Sequence, residues 1–351
     1  MRRIIRGGVS YYHCFSRVVD RRIIFHSGEK EAVRSILRKL ERFLGLRVAT
    51  YCLMGNHFHL LVEVPERDSI PPLTAESLLS LLPLLYDRVT VETVAAQIGA
   101  MRKSGDAAGE KALLDRYERR RGDLSVFLKE LKQRISIFMN KRLGRTGTLW
   151  ESRFKSLLVE GGENALLTVA AYIDLNPVRA GLVSRPEDYR WSGYGESMGS
   201  GRGSQSAREG LASIQREALE SPGRRDCLPE WQVTLERYRR LLYLDGAENP
   251  MTSKPGEASS KGISRELVER VENGEASLTL PELLRLKVRY FSDGAVLGST
   301  AFVEEIFQSL KAESRIGAHR SSGARRPRGA DWGELRVLRD LKVGVIEASR
   351  N

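Results

Sequence analysis

The stretch ATYCLMGNHFHLLVEVP (residues 49–65) contains two runs of β-forming residues separated by a turn. The first run is rich in β-branched and aromatic residues, and Gly55-Asn56 is a typical tight-turn dipeptide. In the second run, residues 57–64, apolar Phe58, Leu60 and Val62 alternate with His57 and His59. An alternation of period two indicates a half-buried strand, so the stretch predicts a β-hairpin with both histidines on one face.

Predicted elements on either side of this hairpin complete a known order. Strands are expected over residues 9–17 and 154–160, and helices over 27–44, 124–143 and 164–176, the last stopped by Pro177. The order β-α-β-β-α-β-α is the split βαβ pattern. We therefore expect an α+β protein with a ferredoxin-like antiparallel sheet and helices on one face.

The rest of the chain is expected to surround this first domain, residues 1–194. Residues 66–122 indicate a helical insertion, and Gly and Ser in residues 195–225 indicate a flexible linker. Residues 226–351 predict a mainly helical C-terminal extension. Its helical signals lie at 264–272, 281–290 and 300–310, and a basic tail at 315–328 is expected to be mobile. The last two helices are expected to form a helical cap or interaction module. A helix-turn-helix stays open as the alternative, although their separation is long for one.

Composition excludes several classes of protein. The chain has 351 residues, 41% of them hydrophobic and 29% charged, which is typical of a globular protein. Its longest apolar run, near residues 78–86, is broken by Ser80 and Pro83, which argues against a membrane protein. No apolar segment follows the arginine-rich start, so secretion is not expected. Three scattered cysteines favour a reducing cytoplasm.

The net charge of +12 indicates a polyanionic partner, usually nucleic acid. The charge is unevenly distributed. Residues 1–50 hold 12 basic and 4 acidic side chains, residues 101–150 hold 13 and 6, and residues 51–100 hold 2 and 6. We therefore expect two basic regions around a less basic centre.

Four residues suggest chemistry when they are considered together. His57 and His59 share a strand face, and Tyr172 and Asn176 lie four apart on the last predicted helix. Two imidazoles and an amide oxygen beside a phenol suit a divalent cation with a nucleophile next to it, an arrangement fit for phosphodiester cleavage. Each residue alone is equally compatible with a structural role.

At these residues the sequence resembles a family, the single-tyrosine H-x-H transposases of bacterial insertion sequences, and most closely the REP-associated tyrosine transposases. The segments that carry the resemblance are YHCFSRVVDRRIIF (12–25), ATYCLMGNHFHLLVEVP (49–65), FMNKRLGRTGTLWESRFKS (138–156) and AAYIDLNPVRAGLV (170–183). They occur in the family's order and cover roughly residues 9–194, apart from the insertion.

The resemblance implies a metal-dependent transposase, or nickase, that cleaves and rejoins single-stranded DNA next to hairpins such as REP-like palindromes. It implies that Tyr172 is the nucleophile, linked to the 5′ end, and that His57, His59 and Asn176 hold Mg²⁺ or Mn²⁺. No nucleotide cofactor is expected, and the sequence contains no phosphate-binding G-x-x-x-x-G-K-[ST] motif. A monomer or homodimer at the cytoplasmic nucleoid, with no membrane partner, is expected.

Basic and aromatic residues near these segments are candidates for DNA contact. The candidates are Arg17, Arg21, Arg22, Arg142, Arg145, Trp150 and Arg153. Trp150 is equally compatible with anchoring the core. His13 and Arg179 also lie in matching segments, and their roles stay open between fold and function.

Two other functions remain compatible with the sequence. The first is a non-enzymatic DNA-binding protein of the same fold that acts at repeats. The second is a metal-dependent phosphodiesterase that uses water, in which Tyr172 has no chemical role. The presence of His57, His59, Tyr172 and Asn176 together favours the transposase over a protein that only binds.

Overall fold

A mixed sheet forms the centre of the computed structural model, which describes residues 8–215, 230–243, 290–291, 295–314, 322–327 and 331–338. Its strands are β1 (Ser10–Arg17), β2 (Arg47–Leu53), β3 (His57–Val64), β4 (Lys155–Val159), β5 (Val296–Gly298) and β6 (Arg336–Val337). Their order across the sheet is β2-β3-β1-β4-β5-β6. The first four strands in this order are antiparallel neighbours, whereas β4 and β5 run parallel.

The helices surround this sheet. They are α1 (Ser27–Leu44), α2 (Ala75–Leu81), α3 (Arg88–Ser104), α4 (Ala107–Glu118), α5 (Leu124–Arg142), α6 (Glu163–Asp174), α7 (Asn176–Arg179), α8 (Gly193–Ser197), α9 (Arg202–Ser213), α10 (Trp231–Tyr243) and α11 (Thr300–Ala312). The expected α+β class and the split βαβ order over β1 to α6 are confirmed.

Two separate apolar clusters lie on the two faces of the sheet. On one face, Phe58 and Leu60 of β3 pack with Leu37 of α1 and Phe127 of α5. On the other, Leu61 belongs to a cluster that includes residues of α6, α9 and α10. The expectation that helices cover one face is therefore wrong. The strands bury apolar side chains on both faces, Phe58 and Leu60 on one and Leu61, Leu157 and Val159 on the other, so each face needs a covering layer.

The insertion forms α2, α3 and α4, which start at capping residues Thr74, Asp87 and Asp106. Its buried residues, such as Leu78 and Tyr117, belong to the cluster of α1 and α5. The insertion therefore packs on the face opposite His59, because His59 alternates with Phe58 and Leu60 along β3.

The Gly- and Ser-rich segment after residue 192 is not a flexible linker over residues 195–215. It forms α8 and α9, and α9 packs against β2. A Cβ atom on Gly210 would lie 2.4 Å from the Val48 carbonyl oxygen, so glycine here permits close packing of two backbones. Buried Glu196 also pairs with Arg38 of α1. Residues 216–225 lie outside the described residues.

The C-terminal extension is not purely helical, because β5 and β6 extend the central sheet. The helix expected over 300–310 is present as α11, and the signals at 264–272 and 281–289 lie outside the described residues. Within the expected mobile tail, residues 322–327 are packed: the Glu304 carboxylate accepts the backbone N–H groups of Gly323 and Ala324. In the described part of the chain, no helix has the length and apolarity to cross a membrane.

Candidate active site

Both histidines of the H-x-H pair lie on β3, an interior strand flanked by β2 and β1. Their ring centroids are 5.2 Å apart, and Phe15 of β1 contacts both rings. His59 is buried, whereas His57 at the end of the strand is partly exposed. The pair therefore extends from the protein interior to an accessible edge.

Tyr172 of α6 lies across this face of the sheet. Its ring centroid is 6.0 Å from that of His59 and 6.2 Å from that of His13 on β1. Its side chain is 1% exposed. The structure thus brings together the predicted histidines and the predicted tyrosine, although these lie in distant parts of the sequence.

Asn176 begins α7 rather than ending the preceding helix. α6 ends at Asp174, and Pro177 occupies the first turn of α7, where its missing N–H has no helical partner to lose. The amide nitrogen of Asn176 donates to the carbonyl oxygens of Tyr172 and Ile173, each at 3.2 Å. Because the nitrogen is engaged with the helix, the amide oxygen is the atom suited to bind a cation.

The histidines next to Tyr172 are neutral at ordinary pH. Burial lowers the pKa of His59 well below its usual value, and His13, His57, Arg179 and Arg17 act in the same direction. Burial also lowers the pKa of His13 to about 3, while the Phe291 backbone opposes this shift. Neutral imidazole is the form that binds metals.

The predicted ligands, His57, His59 and Asn176, suit a transition-metal cation. In the described ranges no three His, Cys, Asp or Glu side chains group as a metal site would. The set formed by His57, His59 and Asn176 combines two imidazoles with an amide oxygen. That combination suits Mn²⁺ better than Mg²⁺, because Mg²⁺ prefers oxygen ligands and water.

Arg179 lies near Tyr172, the predicted nucleophile, and the sequence left its role open. Its guanidinium carbon is 4.2 Å from the centroid of the Tyr172 ring, and its Nη2 donates to the Tyr172 carbonyl oxygen at 2.5 Å. A cation over the face of a tyrosine ring is an attractive arrangement. The spacing of seven residues, two helical turns, was the available sequence signal.

Phe291 covers Tyr172, a contact for which the sequence carries no signal. The two ring centroids are 4.3 Å apart, and Trp332 packs behind Phe291 at 5.8 Å. Both residues belong to the C-terminal extension, far from Tyr172 in the chain. The tyrosine is therefore enclosed in this conformation.

Three of the predicted DNA contacts lie at the exposed edge of the site. Arg17 pairs with His57 across β1 and β3, and Arg21 and Arg22 are exposed in the loop that follows. Asp20 and Arg21 both have left-handed backbone conformations, with φ of 57° and 55°. Such strain in non-glycine residues is concentrated at functional sites, so this basic loop is a candidate surface for DNA.

The other predicted contacts differ in their surroundings. Arg142 is exposed and pairs with Glu29, Arg145 donates to the Thr148 carbonyl, and Arg153 is exposed. Residue 151 bonds to Arg17 and Val19 bonds to Leu149, which brings this segment beside the basic loop.

Trp150 does not fit the prediction of base stacking. Its ring is 8% exposed and packs with Phe25 and Phe58, and its Nε1 donates to Lys132 and Ser136 of α5. A tryptophan with its face buried and its N–H bonded to a helix is a core anchor. The expectation of DNA contact by Trp150 is therefore wrong.

Comparison with known proteins finds a match over the N-terminal part of the first domain. A family model described as IS200-like transposase matches residues 9–75, which hold β1, α1, β2 and the histidine strand. The chain is similar to one solved structure, a REP-associated tyrosine transposase bound to a REP hairpin, with 16% identity and a TM-score of 0.35 over 56% of this chain and 82% of that one. No curated protein matches the sequence. Residues 9–75 are thus similar to the IS200-like transposase family, in the direction that the resemblance of the histidine strand implied.

Proposed function

We propose that this chain is a metal-dependent transposase that cleaves and rejoins single-stranded DNA next to hairpins through a 5′-phosphotyrosine intermediate. The observation that carries the proposal is the contact of Tyr172 with His59, 6.0 Å between ring centroids, on the sheet face that also holds His57. A phenol beside His59, whose strand face also carries the second imidazole, combines a nucleophile with metal ligands, which phosphodiester cleavage requires.

The proposed cleavage step uses the Tyr172 hydroxyl as the nucleophile. Its oxygen forms a bond to phosphorus while the bond from phosphorus to the 3′ oxygen breaks. The phenol loses its proton and the leaving 3′ oxygen gains one, so the products are a 5′-phosphotyrosine and a free 3′-OH. One phosphoester bond replaces another in the intermediate, so the bond energy is conserved and rejoining needs no nucleotide cofactor.

The residues that would hold the cation are His57, His59 and Asn176. Mn²⁺ or Mg²⁺ bound there would polarise the phosphoryl oxygens and orient the scissile group. The protein's own contribution is to place the phenol beside these donors. Arg179, over the phenol ring at 4.2 Å, places a positive charge beside the group that would attack the phosphate.

The proposed substrate is hairpin DNA with a single-stranded flank, of the REP-like class that the sequence resemblance implies. Arg17, Arg21 and Arg22 lie at the accessible end of the histidine strand, where a phosphate backbone would arrive. Chromosomal repeats as substrate would place the protein at the nucleoid.

The test is covalent trapping. The full chain is incubated with Mn²⁺ and hairpin oligonucleotides labelled at the 5′ or the 3′ end, and the products are separated under denaturing conditions. We expect a denaturation-resistant adduct on the fragment 3′ of the cut. The adduct is absent with EDTA and in Tyr172→Phe, because phenylalanine has no nucleophilic oxygen.

Tyr194→Phe is the matched control. Tyr194 is also fully buried, and among the described residues its hydroxyl has no hydrogen-bond partner, so its removal changes little. An adduct in this variant but not in Tyr172→Phe assigns the chemistry to Tyr172. Cleavage without an adduct would instead support attack by water, and hairpin binding without cleavage would support the non-enzymatic DNA-binding protein.

A further inference from the structure

Asn56 connects the basic loop to the first histidine of the pair. Its amide nitrogen donates to the Arg21 carbonyl oxygen at 2.6 Å, and its amide oxygen lies 2.7 Å from Nδ1 of His57. A carbonyl group only accepts, so the bond to Arg21 determines which end of the amide is nitrogen. The end that faces His57 is therefore the oxygen, an acceptor.

This arrangement determines where His57 carries its proton. An amide oxygen accepts a hydrogen bond only from a protonated nitrogen, so Nδ1 of His57 bears a hydrogen. The lone pair of the ring is then on Nε2. Histidines that bind metals commonly donate their second ring N–H to a neighbouring acceptor in this way.

His13 has the corresponding position beside the second histidine. Its Nε2 lies 2.9 Å from Nδ1 of His59, and the two rings are stacked with centroids 5.1 Å apart. Either ring is able to be the donor in such a pair. If His59 donates, its own lone pair is on Nε2, as in His57. If His13 donates, His59 carries its proton on Nε2 and cannot bind a cation through that atom.

The surroundings of His13 are compatible with the first arrangement. His13 then carries its hydrogen on Nδ1, which is buried and makes no bond of normal hydrogen-bond geometry to the described residues. The Phe291 backbone is the polar group that faces this imidazole. A carbonyl acceptor at short range would complete the chain from Phe291 through His13 to His59.

We propose that Asn56 and His13 are positioning residues that hold the proton of both histidines on Nδ1, so that His57 and His59 present Nε2 to one divalent cation. The proposal deepens the metal-dependent function proposed above and rests on it for the identity of the ligand. It adds two residues to that site, one at the exposed turn and one in the sheet interior.

The direct test is the tautomeric state of the two imidazoles without metal or DNA. Two-bond ¹H–¹⁵N correlation spectra of the full chain labelled with ¹⁵N-histidine distinguish the two protonated nitrogens. We expect both His57 and His59 as the Nδ1–H form. Asn56→Ala should release His57 to a mixture of tautomers, and His13→Leu should do the same for His59.

Mn²⁺ affinity, measured by calorimetry, is the second readout. Loss of a group that orients a metal ligand typically weakens binding about 10- to 100-fold, which we expect for Asn56→Ala and His13→Leu. The conservative variants Asn56→Asp and His13→Gln keep an acceptor oxygen and should restore most of the affinity. Phe15→Leu is the matched control, because Phe15 contacts both imidazole rings without a hydrogen bond to either.

Two results would overturn the proposal. One is either histidine carrying its proton on Nε2 in the wild-type protein. The other is unchanged Mn²⁺ affinity in both Asn56→Ala and His13→Leu. Asn56 lies at a partly exposed turn, so its variants stay informative if His13→Leu does not fold. Because neither readout needs DNA, a protein that shows the expected tautomers but no covalent adduct would contradict the cleavage function alone.

Discussion

Asp174 is a buried residue that ties α6, the helix of Tyr172, to its neighbours. Its carboxylate is buried at the end of α6 and accepts hydrogen bonds from the Thr50 hydroxyl at 2.8 Å, the Tyr238 hydroxyl at 2.7 Å and the Tyr194 backbone N–H at 3.1 Å. These partners belong to β2, α10 and α8. Burial raises the pKa of Asp174 to about 6, while the hydrogen bonds act in the opposite direction.

Asp174→Asn should therefore change how stability depends on pH. The raised pKa means that the folded state favours the protonated carboxyl of Asp174. The stability that this protonation contributes is complete below about pH 4 and is lost as pH rises through about 6. The shift corresponds to about 3 kcal/mol. We expect the free energy of unfolding of Asp174→Asn, relative to wild type, to increase by an amount of this order between pH 4 and pH 8.

Urea titrations followed by circular dichroism at pH 4, 6 and 8 measure this difference. Asp188→Asn is the control, since Asp188 lies on an exposed turn and pairs with Arg185. Parallel pH profiles for Asp174→Asn and the wild type would contradict the role of burial.

At the scale of elements, the junction between α6 and α7 lies between Tyr172 and the candidate residues Asn176 and Arg179. The helix break at Leu175 and Pro177 places Asn176 at the start of a new helix while Tyr172 stays on the old one. Arg179, at the end of α7, returns to the Tyr172 ring. Leu175 keeps right-handed helical backbone angles at the junction, so the spacings of four and seven residues still place Asn176 and Arg179 on the side of Tyr172.

Phe291→Ala should increase the initial rate of adduct formation several-fold. Tyr172 is enclosed by the Phe291 ring, and a site that is open for only a fraction of the time reacts in proportion to that fraction. The rate is measured with the trapping assay at saturating hairpin DNA. A reduced or unchanged rate would show that Phe291 does not restrict access.

Loss of a buried phenylalanine also costs stability, about 3–5 kcal/mol. Phe302→Ala is the matched control for this effect, because Phe302 is buried in the cluster on the opposite face of the sheet. Only the variant at residue 291 should raise the rate, whereas both should lower the urea midpoint.

At the scale of the whole molecule, one face of the sheet holds an apolar core and the other holds the candidate site. One face carries α1, α5 and the insertion over a continuous apolar cluster, and the other carries the histidines and Tyr172, whose ring is covered by Phe291. Basic side chains of the loop after β1 lie at the edge where the site opens. DNA is expected to approach at this edge.

The salt dependence of hairpin binding tests this orientation. Arg21→Gln with Arg22→Gln should reduce the slope of log affinity against log salt by about 1.4, since each phosphate contact on a single strand contributes about 0.7. Arg88→Gln with Lys103→Gln removes the same charge from exposed positions of α3 and should leave the slope unchanged. Fluorescence anisotropy measures both, and an equal effect of the two pairs would contradict a localised DNA surface.

Much of the first domain was predictable, since its signals are local. The alternation over residues 57–64 and the turn at Gly55-Asn56 determine the hairpin, and the apolar spacing over residues 124–143 determines α5. The predictions failed where residues of the same type serve two purposes. Gly210 lies in a Gly- and Ser-rich segment that is typical of a linker, yet it allows two backbones to pack closely. Trp150 is a residue type that stacks on bases, yet its side chain is buried.

By itself the sequence determined the strands and helices of the first domain, the pairing of His57 with His59 on one face, and the candidate nucleophile. Only the tertiary structure decided that helices cover both faces, that the extension adds β5 and β6 to the sheet, and that Asn56, His13, Arg179 and Phe291 surround the site. Periodicity records which face of an element is buried. It does not record which distant element covers that face, because that choice depends on the packing of complementary surfaces from separate parts of the chain.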